Sequence, residues 1–199
     1  MRKLTILISM AFIFCCSIVL AQSTNNSSVN LDKSDQKASQ KNGFFALGGY
    51  AENGYGLLTG FKYFPNKNLD RHYEISGYAG FIEENKTGYD IPIEVFSLNL
   101  GYFISVPYLS SETNAFQFSI GAGGIIGQES IDESKIQLQP LESISTKDGT
   151  VYGLYGAMEA DIKLFKHLSV IVRYTHFYHP NSEIGKTKFL LGAGLIIKL

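Results

Sequence analysis

Two neighbouring stretches of alternating residues carry the side chains best suited to proton transfer or ion binding. Their polar positions hold two carboxylates and two bases, namely Glu159, Asp161, Lys163 and Arg173. Successive side chains of a strand point to opposite faces, so in each stretch the charged groups share one face. Paired carboxylates can perform acid–base chemistry, but enclosed groups of opposite charge satisfy one another. We therefore interpret the four residues as structural ion pairs in an enclosed interior.

The turn between these stretches predicts which residues lie opposite each other. A tight turn centred on Lys166 pairs residues whose numbers add up to 332, which places Glu159 opposite Arg173. A shift of one residue would send one partner to the other face of the sheet. The sequence therefore predicts a buried Glu159–Arg173 pair, with Asp161 and Lys163 nearby.

Two histidines and a group of glycines are further candidates for chemistry. His176 and His179 are three residues apart, so a strand places them on opposite faces, where they cannot share a metal ion. A lipid-modifying enzyme with His176 as base stays a remote alternative, since the chain has no nucleophile elbow. The glycines from Gly121 to Gly127 miss the spacing of a dinucleotide-binding loop. We expect no catalytic residue, no cofactor and no metal site.

The N-terminus predicts export. Arg2 and Lys3 precede an uncharged stretch at positions 4–20, and small residues around Ala21 form a cleavage site, so residues 1–21 are predicted to be a signal peptide. The alternative is an uncleaved membrane anchor. Both cysteines, Cys15 and Cys16, lie in this segment, which excludes disulfides from the mature chain. Residues 22–42 are polar and predict a flexible periplasmic leader.

Composition and charge narrow the class of protein. Without residues 1–21 the formal net charge changes from −1 to −3, because two positive charges are lost. A nucleic-acid-binding protein would instead show a basic patch, so we expect no direct nucleic-acid binding. The 14 Phe and 12 Tyr residues favour strands.

From Gly43 onward, eight strand-like stretches follow one another, separated by turn-forming residues. They are Gly43–Ala51, Tyr55–Phe64, Arg71–Ile82, Ile91–Val106, Asn114–Gly127, Thr150–Phe165, His167–His179 and Thr187–Leu199. Most alternate an apolar face with a face of small and polar residues. Residues 43–199 are therefore predicted to form an all-β, eight-stranded antiparallel up-and-down membrane β-barrel.

The composition of the two faces indicates which one is inside. A soluble, lipocalin-like barrel would expose a face rich in Lys and Glu. Here the polar face is mostly Gly, Ser, Thr, Asn and Gln, which suits a narrow interior. Tyrosines near the strand ends are expected to form aromatic girdles at the membrane surfaces (Tyr55, Tyr63, Tyr73, Tyr102, Tyr152, Tyr174 and Tyr178). We expect outer-membrane lipid around the barrel; a soluble periplasmic binding barrel remains the alternative.

The longest connection is polar and predicts a contact region. Residues 128–149 link the fifth stretch to the sixth, and membrane barrels have longer loops outside the cell than in the periplasm. We expect this segment outside the cell, with its charged residues contacting a recipient or partner: Glu129, Asp132, Glu133, Lys135, Glu142, Lys147 and Asp148.

The strands resemble the TraO family of conjugative-transposon transfer proteins of Bacteroidetes over about residues 40–199. The resemblance rests on Gln40-Lys41, Asp90-Ile91-Pro92, Leu98-Asn99-Leu100-Gly101, Tyr152-Gly153 and Gly192-Ala193-Gly194-Leu195. It implies a non-enzymatic component of a DNA-transfer apparatus, with other envelope proteins of that apparatus as partners. The alternative is a small outer-membrane barrel that serves adhesion or envelope integrity.

Overall fold

The computed structural model describes residues 42–65, 71–86, 89–110, 115–131, 149–182 and 185–199. These ranges contain eight strands: β1 (Gly43–Ala51), β2 (Gly54–Tyr63), β3 (Arg71–Lys86), β4 (Tyr89–Ser105), β5 (Phe116–Ile131), β6 (Gly149–Phe165), β7 (Leu168–Tyr178) and β8 (Thr187–Lys198). A single 3-10 turn, η1 (Pro107–Leu109), follows β4. No helix among these residues is long and apolar enough to span a membrane. The predicted signal peptide and nearly all of the predicted leader lie outside the described residues.

Every strand pairs antiparallel with its neighbours in the sequence, and β1 pairs with β8 to close the barrel. This arrangement confirms the predicted all-β, eight-stranded barrel. The burial pattern of β8 shows which face of the sheet is inside. Leu190 and Ile196 are buried with the inward glycines, while Leu195 and Ile197 are exposed outside. An apolar outer face around a partly charged interior is the arrangement of a membrane barrel rather than a lipocalin.

The strand registers fix the dimensions of the barrel. Following the paired residues once around from Gly43 leads to Lys188, which the β1–β8 register aligns with position 53, ten residues further along β1. With strands spaced at ~4.8 Å and a rise of ~3.3 Å per residue, this offset tilts the strands by about 40°. The backbone cylinder then has a radius of about 8 Å, just wide enough to be filled by side chains.

Glycines on the inner face make room for large rings from neighbouring strands. A Cβ atom on Gly121 would overlap the ring of Phe103, and one on Gly101 would overlap the hydroxyl of Tyr155. Phe103 and Tyr155 are both buried. These glycines therefore let aromatic rings lie flat against the wall, which fills a narrow interior without widening it.

β6 and β7 pair in the predicted register, but the turn between them differs from the predicted one. Glu159 lies opposite Arg173, and the other pairs up to Lys163–Ser169 keep the same register. The turn itself consists of Lys166 and His167, and a one-residue irregularity between Lys163 and Phe165 restores the alignment.

Three predicted strand ends are wrong, because β3 and β5 end later and β4 begins earlier than expected. Residues 83–90 were expected to form a loop, yet β3 continues to Lys86 and β4 begins at Tyr89. The β2–β3 pairing ends at Tyr55–Phe81, so this hairpin rises beyond the neighbouring wall. A hairpin in that position can be polar on both faces, which removes the alternation that marks a strand in the sequence.

Candidate functional site in the barrel interior

Four charged side chains meet inside the barrel, and we call them the charge quartet: Lys62, Glu74, Glu159 and Arg173. Lys62 Nζ lies 2.7 Å from Glu159 Oε1, and Arg173 Nη1 lies 2.7 Å from Glu74 Oε2. A longer contact of 3.8 Å joins Arg173 Nη1 to Glu159 Oε2. Two positive and two negative charges balance, so burial leaves no net charge.

Each short pair of the quartet spans the full width of the barrel. Lys62 is on β2 and Glu159 on β6, while Glu74 is on β3 and Arg173 on β7. In a closed ring of eight strands, both pairs of strands are diametrically opposed. The quartet therefore connects opposite walls, in addition to the hydrogen bonds between neighbouring strands.

Aromatic rings enclose the guanidinium group of Arg173, which is 1% exposed. Its Cζ atom lies 4.7 Å from the ring centre of Phe103, and the rings of Phe45 and Tyr155 lie within 6.0 Å. Arg173 Nε also donates a hydrogen bond to Thr175 Oγ1 at 3.1 Å. Ring faces and oxygen acceptors thus replace the water that a guanidinium would otherwise bind.

A chain of neutral polar groups extends from the quartet along β3 and β4. Ser76 Oγ donates to Glu74 Oε1 at 3.0 Å, and Asn99 Nδ2 donates to Ser76 Oγ at 3.4 Å. Ser97 Oγ then donates to Asn99 Oδ1 at 3.0 Å. This network gives the buried polar side chains partners within the protein.

One part of the quartet has ligand groups in a spacing that a metal ion could use. Atoms of His72, Glu74 and Glu159 lie within 4.8 Å of one another. The ring of His72 stacks on Phe103, and its Nε2 lies 3.5 Å from Glu159 Oε1. Lys62 and Arg173 already bind the two carboxylates, so a cation would have to displace one of them. The arrangement fits an ion-paired core better than a metal centre.

The structure divides the four predicted interior residues between two places. Glu159 and Arg173 belong to the quartet, whereas Asp161 Oδ2 pairs with Lys198 Nζ at 3.2 Å, nearer the end where β8 finishes. Lys163 is half-buried on the same face of β6, and its backbone N–H donates to the carbonyl of Ala115. Arg173 has its shortest ion pair with Glu74 rather than with Glu159.

The placement of Glu129 in the exposed contact segment is wrong. Glu129 lies in β5 and is 7% exposed, because β5 continues to Ile131. Its carboxylate is 3.1 Å from Lys188 Nζ and accepts a hydrogen bond from Ser182 Oγ at 2.7 Å. The other predicted contact residues lie outside the described residues: Asp132, Glu133, Lys135, Glu142, Lys147 and Asp148.

His176 and His179 lie on opposite faces of the wall, as their spacing predicts. His176 is exposed outside, where the Tyr174 hydroxyl lies 3.3 Å from its Nδ1. His179 follows β7 and is buried at the mouth of the barrel, stacked on Phe177. Burial, and after it the positive charge of Lys188, lowers the pKa of His179 to about 4. The two imidazoles therefore cannot form one site.

Aromatic side chains lie near both ends of the outer surface and flank an apolar band. Tyr73 and Tyr102 pack in a tilted arrangement near one end, with ring centres 5.2 Å apart, and Tyr55 and Phe81 stack near the other end at the same distance. Six of the predicted girdle tyrosines lie near these levels: Tyr63, Tyr73 and Tyr102 near one end, and Tyr55, Tyr152 and Tyr178 near the other. Tyr174 lies nearer the middle, 6.2 Å from Phe189. Aliphatic side chains in the band are about half exposed, including Ile75, Leu98, Leu100 and Leu195.

The family model for "Conjugative transposon protein TraO" matches residues 36–199. The chain belongs to the TraO family. Among solved structures, neisserial surface protein A has 12% identity and a TM-score of 0.56, over 81% of this chain and 97% of that one. Two Pseudomonas aeruginosa barrels each align over 81% of this chain and 98% of their own: the outer-membrane protein OprG (16% identity, TM-score 0.54) and the N-terminal domain of OprF (10% identity, TM-score 0.52). At these identities the likeness shows the outer-membrane barrel fold alone. Among curated proteins, none matches the chain at a significant level.

In this TraO barrel, Lys62 and Glu74 are the two members of the quartet that the predicted set of four lacks. Both have a signal in the sequence, because they fall on the same face as the small or polar residues Gly60 and Ser76. What the sequence does not show is that β2 faces β6 across the interior. The quartet therefore consists of two cross-barrel ion pairs rather than one pair between neighbouring strands. Two further pairs, Glu129–Lys188 and Asp161–Lys198, lie nearer the ends of the barrel.

Proposed function

We propose that this TraO protein is a non-enzymatic component of the DNA-transfer apparatus of a conjugative transposon, located in the outer membrane. The family match supplies the biological context. The outward apolar band, with aromatic side chains near both of its edges, supports a location in lipid. Its partners would be other envelope proteins of the same apparatus.

The observation that carries this proposal is the filled interior. The quartet and its surrounding rings occupy a cylinder whose backbone radius is about 8 Å. Double-stranded DNA, whose major groove alone is about 12 Å wide, does not fit through such a space. A single barrel therefore serves as a membrane-anchored structural component of the apparatus, and DNA does not pass through its interior.

The proposed orientation places the first and last described residues on the periplasmic side. The longest connection, residues 132–148, is then extracellular, as long loops of outer-membrane barrels are. In this orientation Asp132, Glu133, Lys135, Glu142, Lys147 and Asp148 lie where a recipient or partner could be contacted. Protease added to intact cells should cut this segment first. Cleavage between residues 107 and 113 with the long segment intact would invert the orientation.

The test of the function is a deletion of the gene from its element in the donor. We expect transfer frequency to fall, envelope integrity to stay normal, and a plasmid-borne copy to restore transfer. Unchanged transfer would contradict the proposal. A leaky envelope, with a loss of transfer no larger than the loss of donor viability explains, would favour a role in envelope integrity instead.

A further inference from the structure

The start of the connection between β7 and β8 is hydrogen-bonded to the wall at one end of the barrel. We call its residues 179–182 the mouth latch. Asn181 Nδ2 donates to Thr150 O at 2.7 Å, and Asn181 Oδ1 accepts from Tyr152 N at 3.0 Å, so the latch is bound to β6. Tyr178, the residue before the latch, is one of the aromatic side chains near this end of the outer surface. The latch therefore lies at the level of the membrane surface, where water reaches it.

The latch is also bound to an ion pair that crosses the mouth. Ser182 Oγ donates to Glu129 Oε2 at 2.7 Å, and Glu129 Oε1 lies 3.1 Å from Lys188 Nζ. Lys188 Nζ donates in turn to Gly185 O at 2.9 Å. Glu129 is on β5 and Lys188 on β8, three strands apart in the closed ring. The closed latch thus joins β5, β6, β7 and β8 at this end of the barrel.

The imidazole of His179 is enclosed without a hydrogen-bond partner. It is 1% exposed, and among the described residues neither ring nitrogen has an acceptor or donor. The ring stacks on Phe177, which stacks in turn on Tyr78 of β3. The charged groups of the described residues that act on it are Lys188 from β8 and Glu129 from β5, and these two already bind each other. The site therefore accepts a neutral ring, whereas an imidazolium would have two N–H donors and no acceptor.

From this geometry we propose that the mouth latch is an acid-operated switch, in which protonation of His179 releases the latch and opens this end of the barrel to water. The charged ring has to leave its place beside Phe177 to be solvated. Its backbone moves with it, and that backbone donates to Lys186 O at 2.7 Å and accepts from Ser182 N at 3.1 Å. The switch does not require the proposed role in DNA transfer, because it follows from the groups at the mouth alone.

Acid favours the open latch because the open state binds the extra proton. Burial, and after it the positive charge of Lys188, lowers the pKa of His179 to about 4 in the closed latch, against 6.5 for an imidazole in water. Between these two values, each pH unit of acidification shifts the equilibrium toward the open latch by up to about tenfold. Acidification from about pH 7.5 to about pH 5 should therefore shift it by roughly tenfold or more, and a return to neutral pH should close the latch again.

The test is NMR-detected hydrogen exchange of the folded barrel in lipid nanodiscs at these two pH values. The amides of His179 and Ser182 report opening of the latch, because each donates a hydrogen bond that the opening breaks. Their exchange rates are compared with those of an unstructured chain at the same pH, which removes the pH dependence of the exchange chemistry. The amide of Val172, within β7, reports global unfolding. His176→Asn is the matched control for His179→Asn, because His176 is an exposed histidine on the outer face of the same strand.

We expect the protection of the His179 and Ser182 amides to fall roughly tenfold or more in acid, with Val172 unchanged. His179→Asn should abolish this fall, and His176→Asn should keep it. Ser182→Ala, which lacks the hydroxyl that binds Glu129, should loosen the latch at both pH values and keep the pH dependence. In the wild type, the fall should follow the titration of the His179 ring, so the test does not depend on the folding of any variant.

Equal protection of the two latch amides at both pH values in the wild type would overturn the switch. A fall that persists in His179→Asn, or that does not follow the titration of the His179 ring, would assign the effect to another group and overturn it too. The same fall at Val172 would show that the whole barrel unfolds rather than the latch, which also refutes the proposal. Loss of transfer on deletion of the gene has no bearing on these outcomes, so the switch and the proposed function can fail separately.

Discussion

Removing the charge of Glu159 should destabilise the barrel strongly, and the loss should be recoverable only through Lys62. Glu159→Gln keeps the shape of the side chain and removes one of two negative charges from the quartet. Lys62 then keeps its positive charge in a site where its side chain is 3% exposed. Breaking a buried ion pair on one side costs about 3–5 kcal/mol of the free energy of unfolding.

The distances show which positive charge loses more electrostatic attraction when Glu159 is neutralised. Before desolvation, and with an effective dielectric constant of about 20, attraction to Lys62 at 2.7 Å is worth about 6 kcal/mol and attraction to Arg173 at 3.8 Å about 4 kcal/mol. Arg173 also keeps Glu74 at 2.7 Å, whereas Lys62 loses the carboxylate of Glu159. The uncompensated charge in Glu159→Gln is therefore the ammonium of Lys62.

Two double variants test whether Lys62 or Arg173 is the main partner of Glu159. Lys62→Met with Glu159→Gln removes the whole pair and leaves Arg173–Glu74 intact, so most of the lost stability should return, to within about 1 kcal/mol of the wild type. Arg173→Met with Glu159→Gln is equally neutral overall, but it removes both short ion pairs and leaves Lys62 only Glu74, which lies opposite it on the neighbouring strand. It should therefore recover less stability than the Lys62→Met double variant.

The assay is urea-dependent unfolding in detergent or lipid vesicles, followed by the mobility of the unheated protein on gels. This design replaces the simpler expectation from the sequence, in which Arg173 alone is the partner of Glu159. If the Lys62→Met double variant is as unstable as Glu159→Gln while the Arg173→Met double variant recovers, the assignment of partners is wrong.

Three further predictions concern packing, conduction and pH. Gly121→Ala should cost about 1–3 kcal/mol of stability, because its Cβ would overlap Phe103, whereas Gly124→Ala on the outer face of the same strand meets nothing within 4 Å and should be tolerated; equal folded fractions on unheated gels would contradict this. The wild type should show no steady conductance in planar bilayers, and a stable open channel would contradict a filled interior. Since His179 has a pKa of about 4 when folded and 6.5 otherwise, the unfolded chain binds the extra proton, so the free energy of unfolding should fall as the pH drops from 6.5 to about 4. His179→Asn should lack that part of the pH dependence, and an NMR midpoint near 6.5 for the ring of His179 would disprove it.

Alternation was sufficient to predict that eight strands form, which faces of β6 and β7 point inward, and one register. β6 and β7 each separate an apolar outer face from an inner face that carries Glu159 or Arg173, and the short turn between them leaves one alignment that keeps both residues inside. A strand has a side-chain period of two, so a wrong register would expose the charges to the outer face. Local pattern and tertiary structure agree here, which makes the prediction specific.

Contacts between strands far apart in the sequence could not be predicted in the same way. Lys62 and Glu159 are 97 residues apart, and Arg173 and Glu74 are 99 apart. Only the closure of the sheet brings β2 opposite β6. The position of Glu129 in a strand could not be predicted for a local reason: it continues β5 within a polar stretch that has no alternation.

The diametric arrangement also links the quartet to closure of the barrel. Neighbouring strands can pair one after another through local hydrogen bonds, but Lys62 reaches Glu159 only when the ring is complete, and the same holds for Glu74 and Arg173. An open sheet would leave each charge only its neighbour in the register, Lys62 with Glu74 and Glu159 with Arg173. It would also expose them at the level of the lipid, where charges are costly. The two cross-barrel pairs therefore favour the closed ring over partly zipped intermediates, which accounts for four charges being kept in an interior that aromatic and aliphatic side chains could otherwise fill.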